Sequence, residues 1–145
     1  MAVVVRQAFD ESGGGGDCRR SVTAPRSADA FLEPDGTIVL RFHPGSRLVA
    51  ELAEEVVRAH VELACGQRRP VLADVRGLVS ADRGSRQLAA SPAVAAATAR
   101  LAIVVGNPVT RTLGNFFIRV TTPSYPTRLF ADERLAREWL REEHG

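Results

Sequence analysis

Residues 71–86, VLADVRGLVSADRGSR, decide how the rest of the chain is read. A nearly unbroken apolar run ends in an acid at Asp74, an Arg-Gly bend follows, and a second acid, Asp82, stands where a helix can begin. Strand, loop and helix start succeed one another. A functional group placed here lies at the carboxyl end of a sheet strand, where open α/β sheets usually carry their sites.

Working toward the C-terminus, Ser85 to Ala90 has helical propensity, and Ser91 with Pro92 opens a second short helix. Leu101 to Val105, LAIVV, is an apolar strand of the kind buried on both faces. Asn107 and Pro108 start another helix, whose apolar face is expected to be Leu113, Phe116, Phe117 and Val120. Gly114 inside it costs about 1 kcal/mol relative to alanine, so a close packing contact is expected there. Arg128 to Phe130 reads as a short strand, and Asp132 caps a last helix that turns Leu135, Trp139 and Leu140 inward.

Working toward the N-terminus, Ala28 to Leu32 and Thr37 to Phe42 flank EPDG, a turn signal that makes them a hairpin. Ser46 reads as a helix cap, and Leu48, Leu52, Val56, Ala59 and Leu63 repeat at helical spacing. Glu51, Glu54, Glu55, Arg58 and Glu62 form the solvated face, and Gly66 stops the helix. Cys65 is expected to be a small buried apolar residue, because two cysteines, Cys18 and Cys65, make neither a disulfide framework nor a zinc site. Ala2 to Phe9 reads as a strand. The run Gly13 to Gly16 has no Gly-Lys-Ser/Thr after it, so it reads as a linker and not a phosphate loop.

The order of elements is then ββαβαβαβα, which demands an α/β fold with a mixed, mostly parallel sheet, an N-terminal hairpin and flanking helices. The expected division is a flexible segment over residues 1–25, with or without an extra strand, and a single domain over 26–145. That length suffices for one proper core. The 19 basic residues are all arginine and stand against 17 acids, for a formal net charge of +2. With no aromatic stacking series beside them, a nucleic-acid partner is not expected. No apolar run approaches the roughly 20 residues of a bilayer span, and a cytoplasmic protein is expected.

This order of elements resembles the STAS domain shared by anti-sigma-factor antagonists and the cytoplasmic tails of sulfate transporters. Within DVRGLVSAD, Asp74, Leu78 and Asp82 match positions of the antagonists, whose phosphorylated serine follows the second acid; here that position is Arg83. Arginine cannot carry the phosphate switch. Ser80 and Ser85 are the nearby serines, and Ser85 beside a helix start reads as a cap. The segments RPVLADVRGLVSADR, LAIVVGNPVTRTLGNFF and PTRLFADERLAREWL are similar to a bacterial branch of STAS-like proteins of unknown function, often described as SpoIIAA-like, over about Ala28 to Leu140. The resemblance implies the fold and no established activity.

Two sets of site residues follow. Asp74, Arg76, Ser80, Asp82, Arg83, Ser85 and Arg86 form a candidate interaction loop for an unidentified protein partner, working without a phosphorylation cycle. Alternatively, Leu113, Phe116 and Phe117 line an apolar cleft for a lipid or anionic metabolite, with Arg111 or Arg86 at its mouth. The plainer possibility is that Arg76, Arg83, Arg86 and Arg111 make surface ion pairs with Asp74, Asp82 and the acidic helix. Asp74, Ser80, Ser85 and His43 lack a nucleophile-elbow sequence, and no metal-spaced histidines accompany them, so no catalysis, cofactor or metal is expected. His43 and His60 are single histidines without a chemical partner in the pattern. A homodimer is expected from the exposed hairpin edge and the helix ending in FFIRV.

Overall fold

The computed structural model describes residues 2–4, 21–121 and 123–142. Ala2–Val4 (β1) pairs antiparallel with Ser21–Thr23 (β2). The expected hairpin follows as Ala28–Leu32 (β3) and Ile38–Phe42 (β4), with the Glu33 N–H donating to the Thr37 carbonyl at 2.8 Å across the turn. Ser46–Leu48 (β5) precedes the first helix, Ala50–Ala64 (α1). Arg69–Asp74 (β6) and Leu78–Ala81 (β7) come next, then the short helices Arg83–Ala89 (α2) and Pro92–Ala96 (α3). Thr98–Val104 (β8), Pro108–Thr121 (α4), Thr127–Phe130 (β9) and Glu133–Arg141 (α5) complete the order.

Five of these strands form one sheet in the order β3-β4-β6-β8-β9, antiparallel only at the hairpin and parallel from β4 onward. This is the mixed, mostly parallel α/β sheet expected from the sequence. Side chains alternate across it, because successive residues of a strand point to opposite faces. Val39, Leu72, Ala102 and Val104 bury themselves against Ala136, Trp139 and Leu140 of α5. Ile38, Leu40, Val71 and Leu101 turn the other way and meet Val56, Ala59 and Leu63 of α1.

Several local expectations change. Ser46 does not cap a helix: its hydroxyl donates to the His43 carbonyl at 2.6 Å, and Ser46–Leu48 pairs in parallel with Leu78–Ala81 as a small two-stranded ribbon. The helix starts at Ala50, with Val49 at its cap position and no side-chain cap. The ribbon was invisible to periodicity because each strand is only three or four residues long. Gly77 makes it possible, since a Cβ there would stand 2.7 Å from the His43 carbonyl oxygen. Cys65 is half-buried in the left-handed conformation (φ 53°) that ends α1, and it is disulfide-bonded, not a plain apolar filler. Leu135 is 45 % exposed, so the inward face of α5 is Ala136, Trp139 and Leu140. Phe116 is likewise 43 % exposed and stands off the buried face of α4. Val22 is buried with the main core, ahead of the expected domain start near Arg26. The run Gly13–Gly16 and Cys18 lie outside the described residues.

Candidate functional site

The loop after β6 divides its functional side chains between the two faces of the sheet. Asp74 points toward α5. Its Oδ2 accepts from Arg41 at 2.6 Å and from Arg76 at 2.8 Å, and its Oδ1 accepts from the Arg76 side chain and backbone at 2.9 and 3.1 Å. Glu133, at the start of α5, accepts from the same two arginines and from Arg137, which also donates to Glu33 at 2.7 Å. Burial favours the neutral form of Asp74, but the hydrogen bonds and charge of Arg76, with Arg41, outweigh it and hold the carboxyl below its ordinary range. Glu133 is held low chiefly by its hydrogen bond to Arg41. Asp74 and Arg76 are therefore engaged in a clamp that fastens α5 to the sheet.

Asp82 is also engaged. Its Oδ1 accepts from the Ser85 N–H at 2.8 Å as the N-cap of α2, and that bond is the first cause of its lowered pKa. Ser85 is 2 % exposed, with its hydroxyl donating to the Leu48 carbonyl at 3.0 Å. Ser80 and Arg83 are exposed. Arg86 makes no salt bridge among the described residues: one end nitrogen donates to the Ala81 carbonyl at 2.7 Å, the guanidinium lies 4.9 Å from the ring centre of Phe116, and its charge helps to hold the Asp82 carboxyl low.

Arg86 lines a cavity of about 170 Å³ between the sheet and the helices α1, α2 and α4. Leu40, Val71, Leu101 and Ile103 form its floor, and Leu113 and Phe117 of α4 stand against it, while Arg111 and Phe116 lie outside. The space exists because small residues occupy wall positions on every side: Ala53, Ala73, Ala81, Ala89 and Gly114. Gly114 serves packing as well, since a Cβ there would stand 2.5 Å from Leu129 Cδ2.

One polar pair sits on the cavity wall where the sequence had suggested nothing. His60 of α1 is 5 % exposed, and its Nε2 lies 3.3 Å from Thr98 Oγ1. Thr98 Oγ1 also donates to the Val94 carbonyl at 2.7 Å. Burial pushes the imidazole down to about 4, opposed by its hydrogen bond to the Ala97 backbone. The sequence signal lay in helical register: His60 directly follows Ala59 and falls four positions after Val56, on the buried side of α1. Among the described residues no cluster of three or more His, Cys, Asp or Glu side chains comes together to hold a metal, and no helix is long and apolar enough to cross a membrane.

Among curated proteins, none matches this chain in sequence. Its structure is similar to the crystal structure of an uncharacterized protein of the DUF3478 family with a SpoIIAA-like fold from Shewanella loihica PV-4. The two share 15 % identity, with a TM-score of 0.61 over 79 % of this chain and 93 % of the other, a likeness of fold. Over residues 30–144 the chain matches the family described as Domain of unknown function (DUF7793), and it belongs to that family.

Proposed function

We propose that this protein binds a small amphiphile, with its apolar body in the cavity between the sheet and α1, α2 and α4 and an anionic head at Arg86. The observation that carries this reading is the pairing of an apolar floor with a single lining arginine, Arg86, that makes no salt bridge among the described residues. Surface arginines elsewhere, such as Arg41, Arg76 and Arg137, are tied to carboxylates. An arginine donating to a ligand carboxylate gains a charge-assisted hydrogen bond.

The volume limits the ligand. At about 170 Å³ the cavity resembles the roughly 150 Å³ space that admits a benzene ring and falls short of the roughly 300–1,000 Å³ of sites for drug-sized molecules. A short alkyl chain or a single ring fits this description. Titration calorimetry with octanoate and with octanol tests it: octanoate binds, octanol binds about tenfold more weakly, and Arg86→Gln removes the difference. No uptake of either probe, together with no co-purifying small molecule in native mass spectrometry, overturns the reading.

A protein-interaction role through residues 79–90 rests on a separate observation. Val79 is 41 % exposed, and Arg83, four residues on, is exposed without an ion pair among the described residues. The buried Ser85 hydroxyl supports a role without a serine-phosphate cycle. A pull-down in which Arg83→Glu releases a partner while octanoate uptake persists would favour this second role.

A further inference from the structure

Residues 75–131 contain seven arginines and one acid, Asp82, in a chain whose totals are nearly balanced. Asp82 is the cap of α2 and is spent on the Ser85 N–H. Within the same stretch, α2, α4 and β7 contain no acidic residue at all, and α4 packs against β7 and β9 over the cavity. Arg76, Arg100 and Arg128 are occupied by Asp74, by Trp139 and by Phe130 respectively. The remaining four, Arg83, Arg86, Arg111 and Arg119, form no salt bridge among the described residues, and Arg86 meets Asp82 only through its charge.

These four arginines share α2 and α4 with exposed apolar side chains. Val109 is 54 % exposed and Phe116 43 % exposed on α4, and Val79 is 41 % exposed on β7 next to it. On α4 the exposed positions Arg111, Asn115 and Arg119 recur every fourth residue, so the two arginines stand on one side of the helix. Val109, Thr112, Phe116 and Arg119 make the adjoining exposed row. Leu113, Gly114 and Phe117 form the opposite, cavity-lining side. A short helix with apolar and cationic residues outward and no acid is built as helices that lie in an anionic lipid interface are built. A nucleic acid would be held by the charge alone and gives no use to Val79 and Val109 among the arginines.

We infer that the face made by α4, α2 and β7 docks on an anionic membrane surface, from which a ligand enters the cavity past α4. The inference rests on the ligand-binding reading above for the identity of the cavity, but apart from Arg86 the arginines and exposed valines of the docking surface do not line the cavity. Arg111, Arg119 and Val109 lie outside it, so they can be changed without touching the ligand walls.

The test uses the full chain and two vesicle compositions, phosphatidylcholine alone and phosphatidylcholine with 30 mol % (about one lipid in three) phosphatidylglycerol, in a flotation assay. The protein floats with the anionic vesicles and stays behind with the neutral ones, and raising salt to about 0.5 M weakens the association. The triple variant Arg111→Glu, Arg119→Glu, Val109→Ser loses at least about tenfold in vesicle affinity while octanoate binding in solution stays within about twofold. Equal binding to both vesicles, binding to neither, or capture of duplex DNA in preference to anionic vesicles overturns the inference. Octanoate uptake without vesicle binding sinks the docking surface and leaves the ligand reading standing; vesicle binding without octanoate uptake does the reverse.

Discussion

Leu72 and Ala73 are neighbours in β6, yet they look into different interiors. Leu72 is fully buried against the α5 side, where it clusters with Val39, Val104, Trp139 and Leu140 and the Arg41 bonds to Asp74 and Glu133 close the edge. Ala73 faces the cavity side, where four alanines and a glycine stand at positions that larger side chains would fill. One sheet thus carries a face built for stability and a face that keeps space open. The difference teaches that the space is a property of residue size at chosen positions, because the same strands bury larger neighbours, Trp139 and Leu140, on their other side.

The largest effects should separate these two faces. Leu72→Ala opens a hole in the filled face and is expected to cost about 2–5 kcal/mol in urea denaturation. Ala73→Leu, one residue along, is expected to leave stability unchanged or raised and to abolish octanoate binding, since it fills space that is already empty. If Ala73→Leu destabilises as much as Leu72→Ala, the two faces are packed alike and the comparison fails.

Next in size is the pH response of the cavity wall. In the folded state His60 stays neutral down to about pH 4, whereas in the unfolded chain it takes a proton below about 6.5. Protonation therefore favours the unfolded state: the contribution is complete above pH 7.5 and is lost as pH falls toward 4, amounting to about 2 kcal/mol between pH 7.5 and 5. Denaturation curves at those two values should show this slope in the native chain and lose it in His60→Gln.

The clamp behaves with the opposite group chemistry and in a lower window. Asp74 has its folded pKa depressed, so its stabilisation is present above its ordinary value near 3.8 and disappears as pH falls below that. Asp74→Asn is expected to cost about 1–2 kcal/mol at neutral pH, less than a fully buried pair because Arg41 and Arg76 keep Glu133 and some solvent. Thermal melts across pH 3 to 7 would read this as a flattened acid limb. Smallest is Asp82→Ala, about 1 kcal/mol for a lost N-cap, with octanoate affinity within about twofold.

The sheet was legible because its strands announce themselves at long range: the apolar runs at Val71 and Leu101 and the EPDG turn need no tertiary context. Asn107 and Asp132 were equally readable as caps, and both accept a backbone N–H as expected, from Thr110 and Arg134. The site was legible only in fragments. Arg86, Leu113 and Phe117 could be named, but Ala73 and Ala53 carry no chemical flag in a sequence, and a void is recognised only when all its walls are assembled. Asp74 and Arg76 looked available because Arg41 and Glu133, 33 and 59 positions from Asp74 in the chain, had not yet been brought beside them. The charge asymmetry of residues 75–131 was open to counting from the start, but the balanced total concealed it.

The bond from Arg137 to Glu33 spans 104 residues and ties α5 back to the end of the first hairpin. During synthesis the cavity side of the sheet gains α1 as soon as that helix emerges, while Val39 and Leu72 wait uncovered until α5 leaves the ribosome. The face that α5 covers is therefore the last to become shielded from water as the chain is made.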